Sequence, residues 1–205
     1  VHRFLLRIIT AIQLTRLTMA FGAVSDVWFV ILLTRADPQY TGAEVNAAPL
    51  WLALLAGAVV AVGLFAYGAA LNDVLDVRHD SAFSPDRPIP AGRIRLGQAV
   101  VVAVGALIVA VLAANALGGW PLRLTLLTAA GILFYNAAAK YIPSVGLVTI
   151  GLIHAVHMLI PNVEMSFMLP VWLVMTHALV IAAAVHVLED KRPRLGRRSV
   201  VVAGV

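Results

Sequence analysis

The sequence predicts an all-α fold, a polytopic bundle of transmembrane helices. Three observations lead there. Of the 205 residues, 61% are hydrophobic and only 12% are charged, against roughly 25% charged in a soluble domain. The mean hydropathy is +0.95. The apolar residues also fall into segments close to the roughly 20 residues a helix needs to cross a bilayer core. The net charge of +5 is not a nucleic-acid signal, because the basic residues stand at the ends of apolar segments, where they orient a membrane protein. With no cysteine present, disulfide frameworks, zinc–thiolate sites and iron–sulfur sites are excluded.

Residues 1–15 set Arg3 and Arg7 among Phe, Leu and Ile. That pattern suits a short helix lying at the interface, or simply the start of the first span. The first span, 16–33, opens on Arg16 and holds Asp26 beside Trp28. An ionisable group inside a span is a functional candidate, although Trp28 fits an interfacial position equally well. The second span, 49–71, contains no charge, and the third covers 98–117. The fourth, 121–139, and the fifth, 143–160, each begin at a proline, and the sixth covers 168–188. Alanine and glycine are frequent in these spans, which allows close helix approach in a membrane. Residues 199–205, SVVVAGV, read as the start of a seventh span, and the first residue is Val, not Met. The expectation is one membrane domain over 1–205, incomplete at its C-terminus.

Six spans divide the fifteen Lys and Arg residues unequally, with thirteen on the side of the N-terminus and two, Arg35 and Arg123, on the other. The positive-inside rule then sets the N-terminus, the 72–97 loop, the turn at Lys140 and the 189–198 segment in the cytoplasm. The two most polar clusters thereby share one face.

The first cluster is LNDVLDVRHD at the end of the second span. Asn72, Asp73, Asp76 and Asp80 form N-D-x-x-D-x-x-x-D. On a continuous helix the aspartates fall at i, i+3 and i+7 and share one face. Three carboxylates there need solvent or a cation, and hard oxygen donors suit Mg²⁺, which takes one or two carboxylates plus substrate phosphates. A polar loop solvating a helix end is the plainer reading. The next stretch, SPDRPIPAGRI, spaces Arg87 and Arg93 around Pro88, Pro90 and Gly92. Prolines stiffen such a loop. Arginine forks beside a divalent cation are what a diphosphate requires.

NDVLDVRHD followed by SPDRPIPAGRI resembles the first signature of the UbiA-type membrane prenyltransferases, N-D-x-x-D-x-x-x-D and then R-P-[LI]-P-x-G-[RK]. Every position of that signature is present. The resemblance implies a nine-helix membrane enzyme. It would transfer a prenyl group from a polyprenyl diphosphate to a lipid or aromatic acceptor, with Mg²⁺ as cofactor. Asp73, Asp76 and Asp80 would be catalytic, and Asn72, Asp73, Asp76 and Asp80 would be metal ligands. The resemblance extends to LFYNAAAKYIPS, where Tyr135 and Lys140 match a tyrosine and a basic residue at the diphosphate. Lys140 also fits a positive-inside anchor, and Tyr135 an interfacial belt residue. Arg16 matches a basic residue opening the first span.

The family's second acidic signature commonly reads D-x-x-x-D, whereas this chain has AVHVLEDKRPRL. His186 stands for the first Asp in one register, and Glu189 and Asp190 form an acidic pair in another. Glu189 and Asp190 remain metal candidates, and His186 a diphosphate contact. The lost carboxylate leaves room for a weak or inactive isoprenoid-diphosphate binder. A second alternative is haem or metal binding by His154, His157 and His177. A transporter fits less well, because the ionisable residues gather at one face and do not trace a path across the bilayer.

Overall fold

The computed structural model describes residues 20–188. The expectations that fall on 1–19 and 189–205 lie outside the described residues. These are the interfacial helix over 1–15, Arg16, Glu189 with Asp190, the basic 189–198 segment and the stretch 199–205.

Among the described residues every regular element is helical. The α-helices are α1 (Phe21–Ala36), α2 (Leu50–Leu75), α3 (Val77–Phe83), α4 (Leu96–Asn115), α5 (Gly119–Ala137), α6 (Pro143–Leu159) and α7 (Leu169–Leu188). Six of them coincide with the six expected spans, and α3 is a short helix just after α2. Three-residue and four-residue 3-10 turns lie at Pro38–Tyr40, Glu44–Ala47 and Ala139–Tyr141. The boundaries follow local chemistry. Pro49 precedes α2 and Pro143 opens α6, positions where a missing N–H costs nothing. At the start of α4 the Arg95 N–H donates to Gln98 Oε1 at 3.1 Å, which satisfies one donor the helix leaves open.

Leu50–Leu75, Leu96–Asn115 and Leu169–Leu188 are each long and apolar enough to cross a membrane. At 26 residues, α2 is about 39 Å long, longer than the bilayer core. α6 is apolar but has 17 residues, and α5 carries Arg123 and Asn136 within its 19.

α2 is the hub, packing on α1, α4 and α5, while α6 packs on α1, α5 and α7. α1 and α5 therefore join the two halves. One core cluster unites Val27 and Ile31 of α1, Val60 and Leu64 of α2, and Ala103 and Ala110 of α4. A second unites Val30 of α1, Ala155 and Met158 of α6, and Val171 of α7. Among the described residues the contact of α2 with α4 is the most extensive in the bundle, and it uses small residues on both sides. A Cβ at Gly63 would lie 2.8 Å from Ala110 Cβ and 2.9 Å from the Ala106 carbonyl oxygen. Backbone therefore meets backbone there, the packing that small residues permit in membranes.

The bundle has two distinct ends. At one, Asn162 Nδ2 donates to Thr34 Oγ1 at 3.2 Å, the Ser166 N–H donates to Tyr40 Oη at 2.8 Å, and the Trp120 N–H donates to Glu44 Oε2 at 2.7 Å. At the other, the ends of α2 and α5 meet through the aspartates.

Gly63→Leu is expected to force α2 and α4 apart and cost about 1–3 kcal/mol. Gly105→Ala on α4, where a Cβ meets nothing within 4 Å, should be neutral or gain up to about 1 kcal/mol. Thermal unfolding in detergent, followed by circular dichroism, compares the two.

Candidate functional site

α2 ends at Leu75, and Asp76 adopts φ −91° and ψ 5° before α3 begins at Val77. This is the bridge region, outside helical geometry. The one-residue break interrupts the continuous face that i, i+3, i+7 spacing would give three aspartates, and the structure divides them into two sets.

Asp73 and Asp80 converge on Arg87. Its Nη1 donates to Asp73 Oδ1 at 3.1 Å and to Asp80 Oδ2 at 2.9 Å. The carboxylate side chains are 5% and 4% exposed, that of Arg87 34%. This burial removes the reading of a polar loop solvating a helix end. Two carboxylates at that depth require a cation, and losing one partner of a buried pair typically costs about 3–5 kcal/mol, less where the cation reaches solvent as Arg87 does.

The loop delivers Arg87 because it is folded on itself. The Arg87 N–H donates to Ser84 O, the Ala91 N–H to Arg87 O, and the Arg93 and Ile94 N–H groups to Pro88 O. Pro85, Pro88 and Pro90 have no N–H to satisfy and hold φ near −65°. Ile89 is buried in the core cluster of α1, α2 and α4, which pins the loop beneath the helix ends.

Asp76 turns to α5. Lys140 Nζ donates to Asp76 Oδ1 at 2.6 Å and to Asn72 Oδ1 at 3.3 Å. Lys140 sits on the Ala139–Tyr141 turn, and Gly146 lets α6 lie against that turn, since a Cβ there would be 3.0 Å from the Ala139 carbonyl oxygen. Tyr141 completes this half, its ring 5.4 Å from Lys140 Nζ. Loss of solvent around its hydroxyl, and then the charge and hydrogen bonding of Asp76, raise the Tyr141 pKa above its ordinary value. Sequence reasoning passed over Tyr141. Its only signal was an aromatic residue adjacent to Lys140 in AKY.

Of the other expected residues, Tyr135 is half-buried on α5 within electrostatic reach of Asp76. Arg93 is exposed on the loop, and His186 is half-buried in the last turn of α7. The structure thus brings together Asn72, Asp73, Asp76, Asp80, Arg87 and Lys140. Of the histidines offered for haem or metal, His157 is buried, His154 half-buried and His177 exposed.

Among the described residues no three His, Cys, Asp or Glu side chains group closely enough to hold a metal ion by themselves. The donors at the end of α2 are nonetheless all hard oxygens, three carboxylates and the Asn72 amide. They fit a divalent ion that completes its shell with phosphate oxygens and water, as Mg²⁺ does.

Fold and site together define an integral membrane protein of packed helices, with a carboxylate–guanidinium–ammonium cluster at one end. The family model for the UbiA prenyltransferase family matches residues 40–204, and the chain belongs to that family. It is 34% identical over 124 residues to the digeranylgeranylglyceryl phosphate synthase of Methanosarcina barkeri, covering 60% of this chain and 41% of that protein. Against the synthase of the same name from Metallosphaera sedula it is 35% identical over 97 residues, covering 47% and 33%. The matched stretch thus spans about a third to two fifths of these relatives. A solved chain from a structural study of digeranylgeranylglyceryl phosphate synthase in membranes shares the fold, with a TM-score of 0.72 and 20% identity over 96% of this chain and 72% of that one.

Asp76→Asn is expected to lower the Tyr141 pKa. The neutral amide removes a negative charge that opposes the phenolate. A pH titration of tyrosinate absorbance should show tyrosine ionising earlier than in the unaltered chain, and Tyr141→Phe should shrink that difference.

Proposed function

We propose that this chain is a Mg²⁺-dependent membrane prenyltransferase domain. It binds a polyprenyl diphosphate at the aspartate end of the bundle and transfers the prenyl group to an acceptor. The observation that carries this reading is the convergence of Asn72, Asp73, Asp76, Asp80, Arg87 and Lys140 at the end of an apolar bundle, in a chain of this family. A diphosphate with an isoprenoid tail needs that pairing, a polar head site beside a space without water. The charge distribution supports a cytoplasmic position for the aspartate end.

In the proposed mechanism Asp73, Asp76, Asp80 and Asn72 supply ligands for the divalent ion, with Glu189 and Asp190 as further candidates. The ion, when bound, neutralises the diphosphate and improves it as a leaving group. Arg87, Arg93 and Lys140 add positive charge against the diphosphate oxygens as the allylic C–O bond breaks, and Arg16, Tyr135 and His186 are assigned to the same head group. The apolar helices hold the tail and exclude water, which would otherwise capture the allylic cation. The names of the relatives favour a glyceryl phosphate lipid already carrying one prenyl chain as acceptor. Its hydroxyl would attack the cation and release a proton.

Radiolabelled geranylgeranyl diphosphate is expected to bind the detergent-purified chain with Mg²⁺ and not with EDTA. Asp73→Asn and Asp76→Asn should each lower binding by at least about tenfold, the loss of one charged contact. Binding indifferent to Mg²⁺ and to both substitutions would overturn the proposal.

A further inference from the structure

We infer that Arg87 is an exchangeable internal counter-ion, holding the place between Asp73 and Asp80 that a divalent cation takes when a diphosphate arrives. The inference rests on the proposed diphosphate site and assigns that site its control. Its basis is a single nitrogen. Arg87 Nη1 lies 3.1 Å from Asp73 Oδ1 and 2.9 Å from Asp80 Oδ2, so it sits at the point common to both carboxylates. A cation bridging the same two oxygens needs that point, and the two occupants exclude each other.

The burial pattern identifies which basic residue exchanges. Lys140 is 12% exposed and held by both Asp76 and Asn72, whereas the Arg87 side chain is 34% exposed above carboxylates that are 5% and 4% exposed. Arg87 therefore has a path toward solvent, and Lys140 is enclosed. The backbone need not follow, because Ile89 in the core and the turns closed on Pro88 O hold the loop. Rotation of one side chain suffices. It releases a guanidinium beside the cation, where the fork of donors meets phosphate oxygens.

The exchange predicts that metal and diphosphate bind together. Metal alone has to displace Arg87 without offering the guanidinium a new anion. Diphosphate supplies that anion, so the two ligands favour each other, and this coupling is reciprocal. Removing the Arg87 charge removes the competitor and most of the coupling.

The test measures Mn²⁺ binding to the full chain in detergent by electron paramagnetic resonance, with and without inorganic pyrophosphate. In the unaltered chain pyrophosphate should tighten Mn²⁺ binding by at least about tenfold. Arg87→Gln should tighten binding of Mn²⁺ alone by about tenfold or more, as expected for removing a positive charge a few ångströms away, and the effect of pyrophosphate should shrink. Equal Mn²⁺ affinities of Arg87→Gln and the unaltered chain, with pyrophosphate still tightening both, would overturn the exchange and leave the diphosphate site standing. Failure of the unaltered chain to hold Mn²⁺ even with pyrophosphate would overturn the site and the exchange with it.

A second measurement needs no variant and decides the matter if Arg87→Gln does not fold. Phenylglyoxal labels exposed guanidinium groups, and mass spectrometry resolves Arg87 from Arg93, which is exposed and serves as the reference. Mg²⁺ alone should speed Arg87 labelling relative to Arg93, and Mg²⁺ with pyrophosphate should slow it. An Arg87 rate unmoved both by saturating Mg²⁺ alone and by Mg²⁺ with pyrophosphate would contradict the exchange.

Discussion

The ion pairs at the end of α2 are the constraint around which the rest of this bundle is arranged. Asp73 and Asp80 are 4% and 3% exposed at the end of a helix built of leucine, alanine, valine and glycine. Neither carboxylate is tolerable there without a cation, since moving an unpaired charge out of water costs several kcal/mol even after relaxation. The Arg87 loop brings the cation to that pair, and the Lys140 turn, on which α6 packs at Gly146, brings one to the neighbouring Asp76. Removing the Arg87 loop exposes the larger cost, because Asp76 is the more open carboxylate.

The opposite end of the bundle solves an easier problem by other means. Its connections between helices are joined mainly by backbone and neutral side-chain hydrogen bonds, with Arg35 donating to Val45 O at 3.1 Å and to the Ala48 carbonyl, and Glu44 capping the start of α5 at Trp120. The bonds there satisfy loop groups and close the helix ends. Charge pairing between elements is concentrated at the aspartate end, among the described residues, where Arg87 and Lys140 reach across 7 to 64 positions of sequence. That asymmetry separates a hydrogen-bonded end from an ion-paired end in a protein with so few charges.

The spans were legible because bilayer thickness and apolar run length are one-dimensional properties. Expected and observed helices agree from Pro143 through α7 to within a residue or two at each end. α2 runs on to Leu75, past the expected end at 71, because Asn72 and Asp73 find partners and can stay helical. The membership of Asn72, Asp73, Asp76, Asp80, Arg87 and Lys140 in one cluster was legible from motif and charge. Their pairing was not. Period arithmetic puts the aspartates on one face, and it cannot register a single residue leaving helical geometry at Asp76. Nor does spacing reveal that Ile89 enters the core, which decides where Arg87 points. Tyr141 was missed for a related reason, since its relation to Asp76 comes from the packing of α5 against α2.

The break at Asp76 has a chemical consequence under the proposed function. On an unbroken helix the three carboxylates would share one face but spread over about 10 Å along the axis. The break gives instead a buried pair, Asp73 with Asp80, and a more open carboxylate, Asp76 at 20% exposure, flanked by an amide, an ammonium and a phenol. The buried pair is costly without a cation and so carries an internal one, Arg87. Beside the open carboxylate, Lys140 offers the positive charge that the proposed diphosphate site would use. A site that must stay folded without substrate and still accept a metal diphosphate needs both kinds of carboxylate. A one-residue departure from helical geometry supplies both from a single ten-residue stretch of sequence.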